Sequence, residues 1–163
     1  MQHLDRTPSA RFSAVLAILC FAPVAVMLMQ NLRLWWLDYP GIFFHLALFF
    51  LVARLDAPVW GKAAGYGWLL LDVTVGVMTL NHVSLDIAMP IRLGGHIFAG
   101  IWLMSSSYRG SWLVRVLGFI TGLWLFGFTF VAPALQLPMA ALAPASLMTI
   151  VWLAVVAWKN GVQ

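Results

Sequence analysis

The chain has 163 residues, 63% of them hydrophobic and only 9% charged, with a mean hydropathy of +0.95. Soluble domains carry about a quarter charged residues, so this composition excludes an ordinary soluble enzyme and predicts an integral membrane protein. Nine Lys and Arg stand against five Asp and no Glu, for a formal charge of +4; the basic residues lie at the ends of apolar runs, where they read as topology signals rather than nucleic-acid contacts, and a nucleic-acid partner is set aside.

Six apolar runs follow one another, at 12–31, 39–53, 63–80, 91–104, 113–131 and 139–158. A helix needs about 20 mainly apolar residues to cross a bilayer, so the runs predict an all-α fold, a polytopic bundle of six transmembrane helices forming a single domain over 1–163. They are continuous rather than alternating, which favours helices over barrel strands.

The first run, preceded by Arg6 and Arg11, has the outline of a secretory signal. No small-residue cleavage pattern closes it, so it is expected to stay as an anchor. Cys20 lies inside this run, and a lone thiol builds neither a disulfide nor a thiolate metal site. It reads as a small buried apolar residue.

The second run opens on Asp38 as a helix cap with Pro40 in the first turn, and carries His45. Asp56-Ala57-Pro58 separates it from the third run, in the middle of which stands Asp72. Pro90 is expected to open the fourth helix, which carries His96. The second and fourth runs are a few residues short of a full span, a deficit that flanking aromatics or local thinning absorbs. Pro133 and Pro138 bracket the last loop, and Pro144 is expected to kink the sixth helix.

With a cytoplasmic N-terminus, Arg6, Arg11, Arg54, Lys62, Arg109, Arg115 and Lys159 lie inside, and only Arg33 and Arg92 outside. That asymmetry predicts a multi-pass protein of the cell inner membrane with both termini cytoplasmic. Trp35, Trp36 and Tyr39 on one side, and Trp60, Tyr108 and Trp112 on the other, read as belts facing membrane lipids. Gly61-x-x-x-Gly65, Gly118-x-x-x-Gly122 and Gly94-Gly95 are small-residue patterns that let helices approach closely, within a compact bundle or a homo-oligomer.

Asp72 is the most informative residue, because a carboxylate inside an apolar run has no water to solvate it and marks a functional site by default. Three roles are open to it: a neutral acid bonded to a histidine or a carbonyl, a proton relay, or the counter-charge of a ligand. His45 and His96 lie on helices that run in the same direction and fall at nearly the same depth. Neutral imidazoles so placed ligate one haem iron or one metal, or serve as hydrogen-bond partners between helices.

The polar stretch 81–86 holds two more candidates. If it is helical, His82 and Asp86 share a face at i, i+4, a metal-binding spacing. If it is extended, His82, Ser84 and Asp86 point one way, but residues two apart on a strand do not set a nucleophile and an acid on opposite sides of an imidazole. No phosphate-binding glycine loop and no H-E-x-x-H, C-x-x-C or C-x-x-C-H motif occurs.

The two halves share an outline: Pro40 with His45 opens one, Pro90 with His96 the other, and a basic loop then leads into a glycine-bearing helix. The stretch Ile91-Arg92-Leu93-Gly94-Gly95, then Trp102, then Tyr108-Arg109-Gly110, then Leu117-Gly118 to Gly122, resembles uncharacterised bacterial six-helix integral membrane proteins of the domain-of-unknown-function type. The resemblance covers about a third of the chain and implies architecture and bacterial origin, without a mechanism.

The function expected from these features is non-catalytic: an accessory subunit of a larger inner-membrane complex, or a binder of an apolar ligand through Asp72, His45, His96 and His82. The rival is a redox protein with haem or a metal on His45 and His96. A third reading is a small transporter with Asp72 at the midplane.

Overall fold

The computed structural model describes residues 8–30, 32 and 34–159, apart from the side chain of Trp35. Arg6 and Arg33, named above, and Asn31, which ends the first apolar run, lie outside the described residues. Within them the chain is a succession of six α-helices: α1 (Ala10–Met29), α2 (Asp38–Arg54), α3 (Val59–Leu80), α4 (Leu85–Ser107), α5 (Trp112–Leu135) and α6 (Ala143–Lys159). Five have the length and apolarity of a membrane crossing once the short turn leading into α6 is counted with it. The exception is α2, whose 17 residues make a rod of about 26 Å at 1.5 Å per residue.

Helix ends follow from side chains that satisfy orphan backbone groups. Ser9 accepts from the Phe12 amide at the start of α1, Ser84 from Asp86 at the start of α4, and Ser111 from Val114 at the start of α5. Gln136, at φ 51° and ψ 42°, turns the chain out of α5 in the left-handed conformation usually left to glycine.

Five expectations about these ends are corrected. Asp38 is the first residue of α2 and makes no side-chain cap, the capping position being Leu37, and Pro133 lies inside α5 rather than at the edge of the last loop. The fourth helix begins at Leu85 and has 23 residues, so it is a full span, and Pro90 lies inside it rather than opening it. The Ser84 cap starts the helix a turn and a half earlier than proline does, at the cost of the one hydrogen bond that Pro90 cannot donate. The third helix likewise begins at Val59, immediately after Pro58. Pro144 makes no kink in the middle of α6, because a 3-10 turn over Met139–Leu142 precedes the helix and leaves Pro144 in its first turn. There a missing N–H removes no intrahelical bond.

Each helix packs on its neighbours in sequence, and α6 packs on α1, closing the six into a ring. Antiparallel succession puts Arg11, Arg54, Lys62, Arg109, Arg115 and Lys159 at one end, the basic end, where the Arg54 side chain donates to the Pro8 carbonyl and Arg109 pairs with Asp56 at 3.1 Å. Asp38, His82 and Asp86 belong to the opposite end.

Glycines set the closest helix crossings. A Cβ on Gly100 would stand 2.5 Å from the carbonyl oxygen of Gly122, and one on Gly122 would stand 2.8 Å from that of Gly100, so α4 and α5 touch backbone to backbone. Between α3 and α4, Gly61 faces Ser105 and Gly65 faces Trp102. Toward the basic end the ring is filled by Leu48, Leu51 and Val52 of α2, Leu69 of α3, Trp102 and Leu103 of α4, and Trp152 and Leu153 of α6, all buried. Trp68, Trp102 and Trp152 form a continuous aromatic layer, with successive ring centroids 5.6 Å apart. The indole of Trp152 is anchored to the Ser107 hydroxyl at 2.9 Å.

Candidate functional site

Beyond that tryptophan layer the ring is not filled. A cavity of about 530 Å³ runs from the turns at the non-basic end, beside Leu34 and Leu85, down to Trp68 and Thr149. This volume lies within the range of small-molecule sites, about 300–1,000 Å³. Its two sides differ in chemistry. Across α1, α5 and the entry to α6 the wall is apolar, with Phe21, Val24, Leu28, Leu125, Met139 and Leu142. Ser146 and Thr149 also face it, but their hydroxyls donate to the carbonyls of Leu142 and Ala145 one turn back in the chain. Across α2, α3 and α4 the wall carries His45, Trp68, Asp72, Arg92 and His96, with Asp38 nearer the mouth.

Asp72 is the centre of the polar wall and is only 4% exposed. Its Oδ2 accepts from the indole N–H of Trp68, four residues back and therefore on the same face of α3. The same oxygen lies 3.2 Å from Nε2 of His45 across the α2–α3 interface. Its Oδ1 faces Nε of Arg92 on α4 at 3.7 Å, too far for a hydrogen bond, and packs against the bare Gly95 backbone.

His45 has both ring nitrogens engaged. Nδ1 lies 2.7 Å from the Gly41 carbonyl; a carbonyl oxygen only accepts, so Nδ1 carries a proton. A second proton must then sit between Nε2 and Asp72 Oδ2, either on the imidazole or on the carboxyl, because two bare lone pairs would repel. Both arrangements leave the pair with one shared proton and no net charge. Asp38 and Arg92, the remaining charged groups of the cavity wall, balance each other.

Two buried polar atoms of this wall have no hydrogen-bond partner within the protein: Asp72 Oδ1 and His96 Nδ1. Each such atom costs about 1–3 kcal/mol if left unsatisfied, and neither is reached by a water-sized group in this structure. Outside this wall, the buried unpartnered side-chain atoms among the described residues are Ser13 Oγ, Trp102 Nε1 and Thr121 Oγ1, and none belongs to a residue lining the cavity.

The residues singled out from sequence thus divide. His45, Asp72 and His96 line one cavity. His82 does not: it is exposed, in a turn with φ 58°, while Asp86 lies in the first turn of α4. The continuous helix that would set those two on one face is not formed, nor is an extended strand, and no group of three or more His, Cys, Asp or Glu able to hold a metal is gathered among the described residues. Trp68 and Arg92 were not picked out as site residues. Their signal was nonetheless present, as Trp68 and Asp72, and likewise Arg92 and His96, are each four apart and share a helix face.

Among the described residues, ring and cavity together make an all-helical bundle, five of whose helices are long and apolar enough to cross a membrane, around a space with one apolar and one polar wall. No family model, curated protein or solved structure matches the chain.

Proposed function

We propose that this protein binds an apolar ligand with a small polar head in the cavity at the non-basic end of its helix ring. The single observation carrying the reading is the asymmetry of that cavity, an aliphatic and aromatic wall on one side facing the polar side chains of His45, Asp72, Arg92 and His96 on the other. A small-molecule site is mostly apolar with a few convergent polar groups, and this cavity has that composition. The tryptophan layer of Trp68, Trp102 and Trp152 closes the basic half, which supports binding from one end over conduction through the bundle. Engagement of both ring nitrogens of His45 argues against its acting as an axial haem ligand, since a metal would have to displace either Gly41 or Asp72.

The protein sits, on this reading, in a cell inner membrane with both termini cytoplasmic and the cavity opening on the opposite side, in keeping with the basic residues gathered at one end. Its role is non-catalytic: it holds or presents the ligand, alone or as an accessory subunit of a larger membrane complex.

The test is mass spectrometry of what the protein carries when released from its membrane in a mild detergent. Wild type is expected to retain a discrete small molecule. Val24→Phe and Ser146→Phe, which fill the cavity from α1 and α6 without touching the Asp72 cluster, are expected to lose it while remaining folded. Identical bulk lipid on wild type and both filled variants would overturn the reading.

A further inference from the structure

A second recess lies at the basic end, away from the cavity of Asp72. It is a groove of about 520 Å³ over α4, flanked by the loop into α3 and by α5. Its floor is Ile101, Met104, Ser105 and Tyr108, spaced i, i+3, i+4 and i+7 and therefore one continuous stripe of the α4 surface. The ring interior takes Ala99, Trp102 and Leu103 from the same helix, so this stripe faces outward. Ala57 and Pro58 on the α3 side carry too little side chain to cover it, and Phe119 walls it on the α5 side. From Ile101 to Tyr108 the stripe rises about 10 Å, roughly two-thirds of the hydrocarbon depth of one leaflet. The Ser105 hydroxyl donates to the Trp102 carbonyl at 3.1 Å, so the floor presents no free donor and suits an acyl chain.

The mouth of the groove is charged. Arg109 and Asp56 lie on it, paired at 3.1 Å and 74% and 70% exposed. Arg115 stands four residues before Phe119, on the same face of α5 and one turn nearer the basic end. It is exposed, and its Nη2 lies 3.4 Å from the carbonyl of Gly110, the residue next to Arg109. Two guanidinium groups against one carboxylate leave the mouth with a surplus of positive charge. An exposed ion pair such as Arg109–Asp56 is weak and engages one Nη of Arg109, so the rest of that planar fork is open to a phosphate. Trp60 and Tyr108, both exposed at the rim, are residue types that sit at headgroup level.

We infer that this groove holds one anionic glycerophospholipid of the leaflet at the basic end, its phosphate at Arg109 and Arg115 and an acyl chain along Ile101, Met104 and Phe119. Basic pockets beside membrane helices select anionic heads in this way. A zwitterionic head has no net charge to answer the surplus at the mouth, and its ammonium reaches only Asp56, which Arg109 already holds. The site is at the opposite end from the Asp72 cavity, so the two readings stand or fall separately.

The experiment uses the full chain in phosphatidylcholine nanodiscs containing a trace of phosphatidylglycerol with a diazirine in one acyl chain. Saturable labelling of peptides around Met104 and Phe119 is expected, and its loss in Met104→Trp. Competition then reads the head: phosphatidylglycerol is expected to displace the probe at about a tenth of the concentration needed by phosphatidylethanolamine of the same chains. Arg109→Gln with Arg115→Gln should erase most of that preference. Arg11→Gln with Lys159→Gln, which removes the same charge from α1 and α6, should keep it. Equal competition by the two lipids overturns the anionic assignment, and equal loss of preference in the two double variants overturns it by showing diffuse attraction to the basic end. Labelling that is unsaturable, or unchanged in Met104→Trp, overturns the groove itself. The four basic side chains replaced are all exposed, and the wild-type competition decides the head without any variant.

Discussion

His45 on α2 and Asp72 on α3 are held 3.2 Å apart, nitrogen to oxygen, by two other bonds that fix their orientation: the Gly41 carbonyl behind the imidazole and the Trp68 indole on the carboxylate. The pair is thus a clamp across the α2–α3 interface as well as one wall of the cavity. Removing one partner of a buried pair leaves the other without compensation, which typically costs about 3–5 kcal/mol. Asp72→Leu is expected to destabilise more than His45→Leu, because it also strands the Trp68 N–H and the charge of Arg92. The double variant should be more stable than the sum of the single losses predicts, by about 0.5–3 kcal/mol. Reversible unfolding in mixed micelles measures all three, and strict additivity would show that the two side chains do not interact.

Glycine substitutions should fall into two groups that sequence does not separate. Gly100→Ala forces a methyl to 2.5 Å from the backbone oxygen of Gly122, and backbone cannot step aside as a flexible side chain does. A loss of about 1–3 kcal/mol is expected from this overpacking. Gly94 and Gly127 have nothing within 4 Å of their Cβ positions, so alanine there gains helix propensity, up to about 1 kcal/mol. Thermal unfolding in one detergent ranks the three variants, and a destabilised Gly94→Ala or a neutral Gly100→Ala would contradict the packing described.

At the other side of the tryptophan layer, Ser107 accepts from Trp152 at 2.9 Å and is itself fully buried under Gly118. Ser107→Ala keeps the volume nearly constant and leaves the indole N–H unpaired, at an expected cost of about 0.6–2 kcal/mol for a hydrogen bond within a membrane bundle. Trp152→Phe in the Ser107→Ala background should cost little beyond the aromatic area lost. A double-mutant cycle isolates the bond, and a coupling energy of zero would remove it from the account of stability.

Sidedness is open to direct labelling. In a Cys20→Ser background, a cysteine at His82 and one at Trp112, both exposed and at opposite ends of the ring, should react with a membrane-impermeant maleimide from opposite sides. Intact cells are expected to label the His82→Cys protein and spare Trp112→Cys until the membrane is opened. The reverse pattern would invert the orientation inferred from Arg54, Lys62, Arg109 and Arg115.

Hydropathy and punctuation alone determined that the chain is helical, how many helices it has and in what order they run, because a membrane-crossing helix must satisfy its backbone internally and present about twenty apolar residues in a row. The same logic made Asp72, His45 and His96 conspicuous. What sequence did not show is which face of each helix turns inward. Lipid tails are as apolar as leucine, so an inward Leu48 and a lipid-facing Leu46 read alike, and close packing rather than hydropathy sorts them. Helix starts were misjudged where a serine cap, Ser84, outweighed the more visible Pro90, and where a 3-10 turn absorbed the residues before Pro144. Only the tertiary structure decided that α6 closes on α1, that Trp68 and Arg92 join Asp72 while His82 stays outside, and that the space above the tryptophans is left unfilled. Each of these depends on distances between residues far apart in the chain, and a one-dimensional pattern of apolar and polar residues carries no measure of them.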